Sequence, residues 1–398
     1  MRFPEFTEPW ERYKVSDILD FYSTNSLSWE QLEFTDGELR NLHYGMIHVG
    51  LPTLLNMKES KLPTIKDGNE PRSYTLCING DVAFADASED TNDVARAIEL
   101  VETDGQKVVF GLHTIHGRDN KGLTEVGFKG YLFSSRVFHD QIKRIAQGTK
   151  VFSISNKNFS ECFVGIPSKA EQTKIARLLS LLDRRIAVQS KLIEQLESLI
   201  KGITLQASKT NDCEMVMVSD ILTERNEVNT AHHEVCSVSV SQGVVNQVEF
   251  LGHSFAAKDI SNYNVVHYGD LIYTKSPTGD FPYGIVKRSS QENLVAVSPL
   301  YGVYIPASND IGCFLHYFFC NAVSAKNYLH KLIQKGAKNT INITNQRFLE
   351  NTINLPKAEK LAQVVALLNC LSEKKQQAEN LLVLLNKQKQ FFLNQMFI

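Results

Sequence analysis

Ile166–Leu179 reads IPSKAEQTKIARLL, and Leu355–Leu368 reads LPKAEKLAQVVALL. Each stretch ends a block of mixed sequence at a proline and opens a long helical pattern. Proline lacks a backbone donor and fixes φ, so it suits the entrance of a helix and not its interior. Ser168 followed by Glu171 has the form of a capping box. Beyond the openings, apolar residues recur in rows of seven. One row runs Ile175, Leu182, Gln189, Leu196, Ile203, another Leu178, Arg185, Leu192, Leu199, and a third Leu179, Ile186, Ile193, Ile200. The rows starting at Val364, Leu367 and Leu368 match them in the second stretch. This is a heptad-like seam with a wide apolar stripe. A helix of about 38 residues would be roughly 57 Å long and could not bury such a stripe on itself. Each helix could pack on its own domain, but the better reading is that the two pair antiparallel. The expected pair interface is Ile175, Leu178, Leu182, Ile186 and Leu196 against Val364, Leu367, Leu371, Leu381 and Leu385.

The chain repeats itself once. VSDIL occurs at Val15–Leu19 and again at Val218–Leu222. Gly80-Asp81-Val82 aligns with Gly269-Asp270-Leu271, Ser155-Asn156 with Thr344-Asn345, and Phe159 with Phe348. The matches are collinear and span about 190 residues, far longer than a solenoid repeat. The expected fold class is therefore α+β: two similar domains separated by two long antiparallel helices that form a coiled-coil-like spacer, with internal pseudo-two-fold symmetry. The expected boundaries are 1–167 and 206–356 for the domains and 168–205 and 357–398 for the helices. Within the domains, SYTLCI (Ser73–Ile78), KVVFGL (Lys107–Leu112) and NLVAVS (Asn293–Ser298) have strand composition between turn residues. Ser134–Gln147 and Cys313–Lys335 read as helices, with Gly148 and Gly336 placed as C-caps.

The 398 residues carry 42 basic and 44 acidic side chains. Charge is uneven. Residues 1–167 hold 18 basic and 24 acidic groups, 168–205 hold 7 and 4, 206–356 hold 11 and 13, and 357–398 hold 6 and 3. A DNA-facing surface thus requires that folding segregate the acids. The start of the chain has no apolar run of signal-peptide type, and no run is long enough to span a bilayer. Seven scattered cysteines without a CxxC pair fit a reducing cytoplasm and argue against a disulfide framework or a zinc site. No phosphate loop, dinucleotide fingerprint, zincin motif or nucleophile elbow is present. His113 and His116 form a metal-like pair with no third ligand in view. No catalytic residue, metal or cofactor is expected, and the chain reads as a binder.

The order domain–helix–domain–helix, with I/L-P-x-x-x-E-x-x-x-I-A-x-L-L opening the first helix, resembles the specificity (S) subunit of type I restriction-modification systems. Gln172–Ala176 and the Leu-rich run after it fit the central repeat of that family, and KQKQFFLNQMFI (Lys387–Ile398) fits the distal one. GDVAFADASED (Gly80–Asp90) resembles a segment of its target-recognition domains. The second helix departs from the pattern: Lys360 stands where Glu171 would repeat, and Val364-Val365 where Ile175-Ala176 would. The resemblance implies a non-catalytic subunit whose two domains each read half of a bipartite, asymmetric double-stranded DNA site. It implies that the helices set the spacing, that two methyltransferase subunits dock on the chain, and that motor–nuclease subunits add to that core. The alternative is a scaffold that brings two protein partners together without DNA.

Two loop sets recur in both copies as candidate DNA contacts. One follows the Gly-Asp turn: Asp86, Ser88, Glu89 and Asp90 in the first copy, Lys275, Ser276 and Thr278 in the second. An acid facing DNA is costly unless it accepts from a base amine such as that of cytosine. The other set follows the helix-closing glycine: Gln147, Thr149 and Lys150 against Lys335, Lys338, Asn339 and Thr340. Polar and basic groups in such loops suit phosphate positioning. Arg118, Asn120 and Lys121 in GRDNKG are a third candidate group.

Overall fold

The structure, a computed structural model, describes residues 1–253, 259–335 and 341–397. The chain divides into two compact units, Met1–Ser190 with Asn380–Ile398, and Lys191–Glu379.

In the first unit, strand Glu11–Lys14 pairs antiparallel with Phe163–Ile166, so Glu11 lies opposite Ile166 and Lys14 opposite Phe163. The start of the domain is thereby clamped to the strand that leads into the first long helix. VSDI forms a one-turn helix, Val15–Ile18, directly after that strand. A five-stranded sheet follows, in the order Asp20–Tyr22, Thr114–Arg118, Val82–Ala85, Ala97–Glu102, Leu54–Asn56. A second, four-stranded sheet runs Lys107–Phe110, Leu39–Leu42, Thr64–Ile65, Leu32–Glu33. Every residue of Val82–Ala85 is buried, which strand alternation explains. Val82 and Phe84 join the aromatic core with Phe133, Phe138 and Phe159. Ala83 and Ala85 join an aliphatic core with Leu42, Leu100 and Val108. In the aromatic core Phe84–Phe133 and Phe133–Phe138 meet edge to face at 4.9 Å, the geometry the ring quadrupole favours.

The second unit repeats the plan. Strand Cys213–Met217 pairs antiparallel with Thr352–Pro356, and helix Val218–Ile221 follows. Its main sheet runs Leu222–Glu224, Gly302–Pro306, Leu271–Tyr273, Val286–Arg288. Phe348, the repeat partner of Phe159, lies between the rings of Tyr273 at 4.9 Å and Tyr304 at 4.8 Å, both nearly parallel to it.

The long helices are Lys169–Ala207 and Ala358–Gln395. In the first unit Ile175, Ala176 and Leu179 share a core with Leu393, Met396 and Phe397, and Lys389 pairs with Asp183 at 2.6 Å. In the second unit Ala207 shares a core with Leu361, Val364, Val365 and Leu368, and Lys375 pairs with Glu197 at 2.9 Å. As one helix advances from 183 to 197, its partner position falls from 389 to 375, so the two run antiparallel. Ile175, Leu182, Leu196, Val364 and Leu385 are buried, while Leu178, Ile186, Leu371 and Leu381 are half-buried. Leu367 departs from the expected interface: it is 47% exposed, as are its seam neighbours Leu192 and Leu199 to similar extents. The apolar stripe is wider than a two-helix seam covers.

Several local expectations are corrected. Ser73–Ile78 is not a strand; Tyr74, Leu76 and Ile78 are exposed, and Cys77 alone ties the segment to Val108, through one backbone bond of 2.8 Å. Cys313–Lys335 is not one helix but two, Asn309–Cys320 and Ala322–His330. The break is Asn321, whose side chain accepts from the N–H groups of Val323 and Ser324 and so starts a new helix. The predicted helix Ser134–Gln147 is Arg136–Ile145, capped by the Ser135 hydroxyl. Gly148 does not cap it; with φ +140° it shapes the turn after Gln147, and Gly336 lies outside the described residues. The capping box is half formed. The Glu171 N–H donates to Ser168 Oγ at 3.4 Å, but the Glu171 carboxylate accepts two bonds of 2.7 Å from Arg2.

Candidate nucleic-acid interface

A buried aspartate anchors the loop sets in each unit. Asp81 lies after Gly80, whose φ of +95° permits the tight turn. Its carboxylate accepts from Arg118 at 2.8 and 2.7 Å, from His116 at 2.8 Å and from the Ile78 N–H at 3.0 Å. Burial pushes this carboxyl up, but the bonds from Arg118 and His116 outweigh burial and hold it below its ordinary value. Asp270, after Gly269 at φ +89°, accepts from Arg225 at 2.7 and 2.9 Å. Both units thus pin the Gly-Asp turn with a bidentate arginine, but from different strands. Arg118 ends the strand Thr114–Arg118, whereas Arg225 follows Leu222–Glu224.

Past the Gly-Asp turn of the first unit, Ala87–Ser88 pairs with Phe152–Ser153, and Gln147 bridges Ser153 by backbone bonds of 2.9 and 2.8 Å. Two separate loop sets therefore meet. Asp86 and Ser88 stand beside the turn Gln147–Lys150, in which Gln147, Thr149 and Lys150 are exposed. A Cβ on Gly148 would lie 1.9 Å from the Val151 carbonyl oxygen, so only glycine closes this turn.

His113 joins the cluster. It holds a left-handed φ of +55°, unusual for a side chain with a Cβ, and such strain gathers at working sites. Its Nδ1 lies 3.2 Å from Asp86 Oδ1, and its carbonyl accepts from the Asp86 N–H. An aromatic and imidazole patch extends from it. Tyr44 lies 5.1 Å from His113 and 4.7 Å from His43, and His43 lies 4.5 Å from Trp29, which is 46% exposed. His48 Nε2 reaches the Ala87 carbonyl at 3.0 Å. Burial, and to a lesser degree the nearby His113, hold the His43 imidazole below its ordinary value. Trp29, His43, Tyr44, His48 and His113 were not singled out as DNA contacts from the sequence. They come from three distant segments, and only the fold assembles them.

Arg118, Asn120 and Lys121 lie at the far end of the strand that His113 precedes, about 17 Å away at 3.4 Å per residue. Each is engaged within the unit. Arg118 holds Asp81 and lies 4.7 Å over the Tyr22 ring, Asn120 donates to Asp20 and Tyr22, and Lys121 Nζ donates to the Asp17 carbonyl. In the second unit, half-buried Lys275 follows the strand Leu271–Tyr273, and burial lowers its ammonium pKa, with Glu224 opposing. Ser276 and Thr278 are exposed on a loop closed by the Thr278–Phe281 bridge. Lys335 lies in a two-residue strand paired with Ile341–Asn342. Lys338, Asn339 and Thr340 lie outside the described residues.

The two histidines of the metal-like pair separate. His113 faces Asp86, while His116 forms a buried cluster with Cys77 and Asp81 whose donor atoms lie within 4.8 Å of one another. Arg118 already supplies the positive charge there, and burial pushes the Cys77 thiol well up, so this donor set is organised around a guanidinium.

Residues 107–198 match the family described as type I restriction modification DNA specificity domain. That span contains His113, the Gln147–Lys150 turn and the first part of the long helix. The chain carries a type I DNA specificity domain. Its fold is similar over its whole length to the crystal structure of a type I restriction-modification system S subunit from M. genitalium, at 12% identity, with 97% of that chain covered and a TM-score of 0.62. A second solved structure, from work on complex assembly and conformational transition of the type I R-M system, matches 98% of this chain and 97% of its own at 12% identity, with a TM-score of 0.53. At these identities the likeness speaks for the fold. No curated protein matches. The specificity-domain match over residues 107–198 and the full-length likeness in fold both agree with a DNA-recognition specificity subunit of the type I kind. Among the described residues no helix is long and apolar enough to cross a membrane.

Proposed function

We propose that residues 1–167 and 206–356 are two target-recognition domains, each reading one half of a split, asymmetric duplex site. The helices 168–205 and 357–398 set the number of unread base pairs between the halves. Methyltransferase subunits, two per chain, dock on this frame, and motor–nuclease subunits add to it. The observation that carries this reading is the specificity-domain match over residues 107–198, within a plan that the chain builds twice with different loop residues, Asp86 in one copy and Lys275 in the other. A repeated scaffold with unlike loops suits two unlike half-sites on one DNA face, about 34 Å apart for one helical turn. Partner subunits that share the phosphate contacts explain why a chain with 42 basic and 44 acidic groups need not be basic itself.

In the first domain, the proposed reading surface is Asp86, Ser88, His113 and the Gln147–Lys150 turn, with Trp29, His43, Tyr44 and His48 beside it. Asp86 suits a cytosine amine, Ser88 either a base edge or a phosphate, and Lys150 a phosphate. Lys150→Ala is expected to weaken binding of the assembled complex uniformly across DNA sequences and to reduce the slope of log affinity against log salt by about 1. Fluorescence anisotropy at several salt concentrations measures both. An unchanged slope removes Lys150 from the interface. The wider reading is tested by mapping methylated sites in host DNA with and without the gene. One split motif should vanish with the gene, and replacing residues 1–167 by another chain's domain should change one half of that motif only. A methylation map indifferent to the gene rules out the reading.

A further inference from the structure

Lys287 is 93% buried on the strand Val286–Arg288, and no carboxylate pairs with it among the described residues. Its Nζ lies 3.2 Å from Cys320 Sγ. A buried ammonium requires a counter-charge, because desolvating it alone costs several kcal/mol. Among the described residues, the group placed to supply that charge is the sulfur, as a thiolate. His316, one helical turn before Cys320, supports it. His316 Nδ1 accepts from the Arg288 N–H at 3.1 Å, which leaves the Nε2 proton directed at Cys320 Sγ, 3.7 Å away. Tyr317 and Cys313 on the same helix and Arg288 on the strand are further ionisable groups nearby among the described residues. The carbonyl end of the helix Asn309–Cys320 works against an anion at Cys320, so the two donors must outweigh both it and burial.

We propose that Cys320, held by Lys287 and His316, is a thiolate site that reacts with soft electrophiles and with hydrogen peroxide. The peroxide step forms an S–O bond and breaks the O–O bond: the thiolate sulfur is oxidised to sulfenic acid, and peroxide is reduced to hydroxide. The product no longer offers a full negative charge to Lys287, so oxidation loosens the contact between this helix and the strand. Burial raises the Cys320 thiol, yet His316 and Lys287 together bring it down to about 6. Cys320 is a partly exposed residue, and Cys370 is an exposed cysteine of the same chain that serves as reference.

The test uses the full chain. Pulse alkylation with iodoacetamide across pH 5 to 9, read peptide by peptide by mass spectrometry, should give a half-maximal rate near pH 6 at Cys320, with the exposed Cys370 read in the same digest as the reference. Dimedone after brief peroxide should label Cys320 at neutral pH. Lys287→Met should raise the Cys320 midpoint by at least one unit, while Lys287→Arg should keep it low. Hydrogen exchange of the second unit checks that both variants fold. A Cys320 profile parallel to that of Cys370, or no reaction at Cys320 at any pH, overturns the proposal. If Lys287→Met does not fold, the Lys287→Arg and wild-type profiles decide it alone.

Discussion

Asp81→Ala is expected to cost about 3–5 kcal/mol, the range for breaking a buried ion pair by removing one partner. The carboxylate is fully buried and accepts from Arg118, His116 and the Ile78 N–H. Alanine would take the carboxylate acceptor from a buried imidazole and from the Arg118 guanidinium, which would keep only the Leu76 carbonyl at 2.8 Å. His116 Nδ1 already lacks a partner, so the ring would then have none on either side. Trp10 and Trp29, the only tryptophans of the chain, both lie in the first unit, so their fluorescence follows its unfolding in urea. A loss below about 1 kcal/mol, the scale of a surface ion pair, would contradict this account of the turn. The pH dependence has a definite sign. The Asp81 carboxyl is held below its unfolded value of about 3.9, so its contribution is present above about pH 4 and fades as pH falls through the folded value. The Asp81→Ala variant lacks that term and should lose stability less steeply on acidification than the native chain.

Phe348→Ala should be as costly for the second unit, about 3–5 kcal/mol, because a large ring leaves a close-packed core. The ring is fully buried, lies flat against Tyr273 and Tyr304, and meets Phe319 at 5.8 Å and Tyr328 at 5.5 Å. Paired rings add about 0.5–1.5 kcal/mol beyond area alone. Phe348→Leu keeps most of the volume and should lose less. Hydrogen exchange at Leu271–Tyr273 and Gly302–Pro306 reads the local effect. Native protection of both strands in Phe348→Ala would show that the core collapses around the gap.

The plan of the chain was legible because it rests on local signals. VSDIL marks the same strand-to-helix step in both units, and the I/L-P openings mark the strands that close on it. The wide stripe on the long helices announced a partner. The proposed reading surface was half legible. Asp86, Ser88 and the Gln147–Lys150 turn were picked as loops, but that they touch depends on the Ala87–Ser88 and Phe152–Ser153 pairing across about 60 residues. Arg118 looked like a free cation in a loop. Its role depends on a carboxylate 37 positions away, and the second copy gives that role to Arg225, just past the end of another strand. Only the folded chain reveals such a swap, because the repeat keeps the aspartate and not its partner. The break at Glu171 and Lys360 has a similar origin. Glu171 is buried because Arg2 reaches it, whereas Lys360 is exposed.

The division of the long helices has a consequence for the order of events on the ribosome. The second unit is one continuous segment, Lys191–Glu379, but the first takes in Asn380–Ile398 from the far end of the chain. Until those last residues emerge, Ile175, Ala176 and Leu179 have no Leu393, Met396 and Phe397 to cover them. The half synthesised first is therefore the half completed last. It must hold an open apolar groove while almost the whole remaining chain is translated, at about 5–20 residues per second. A chain that lacks residues 380–398 contains the whole segment of the second unit and leaves the first without its closing helix end.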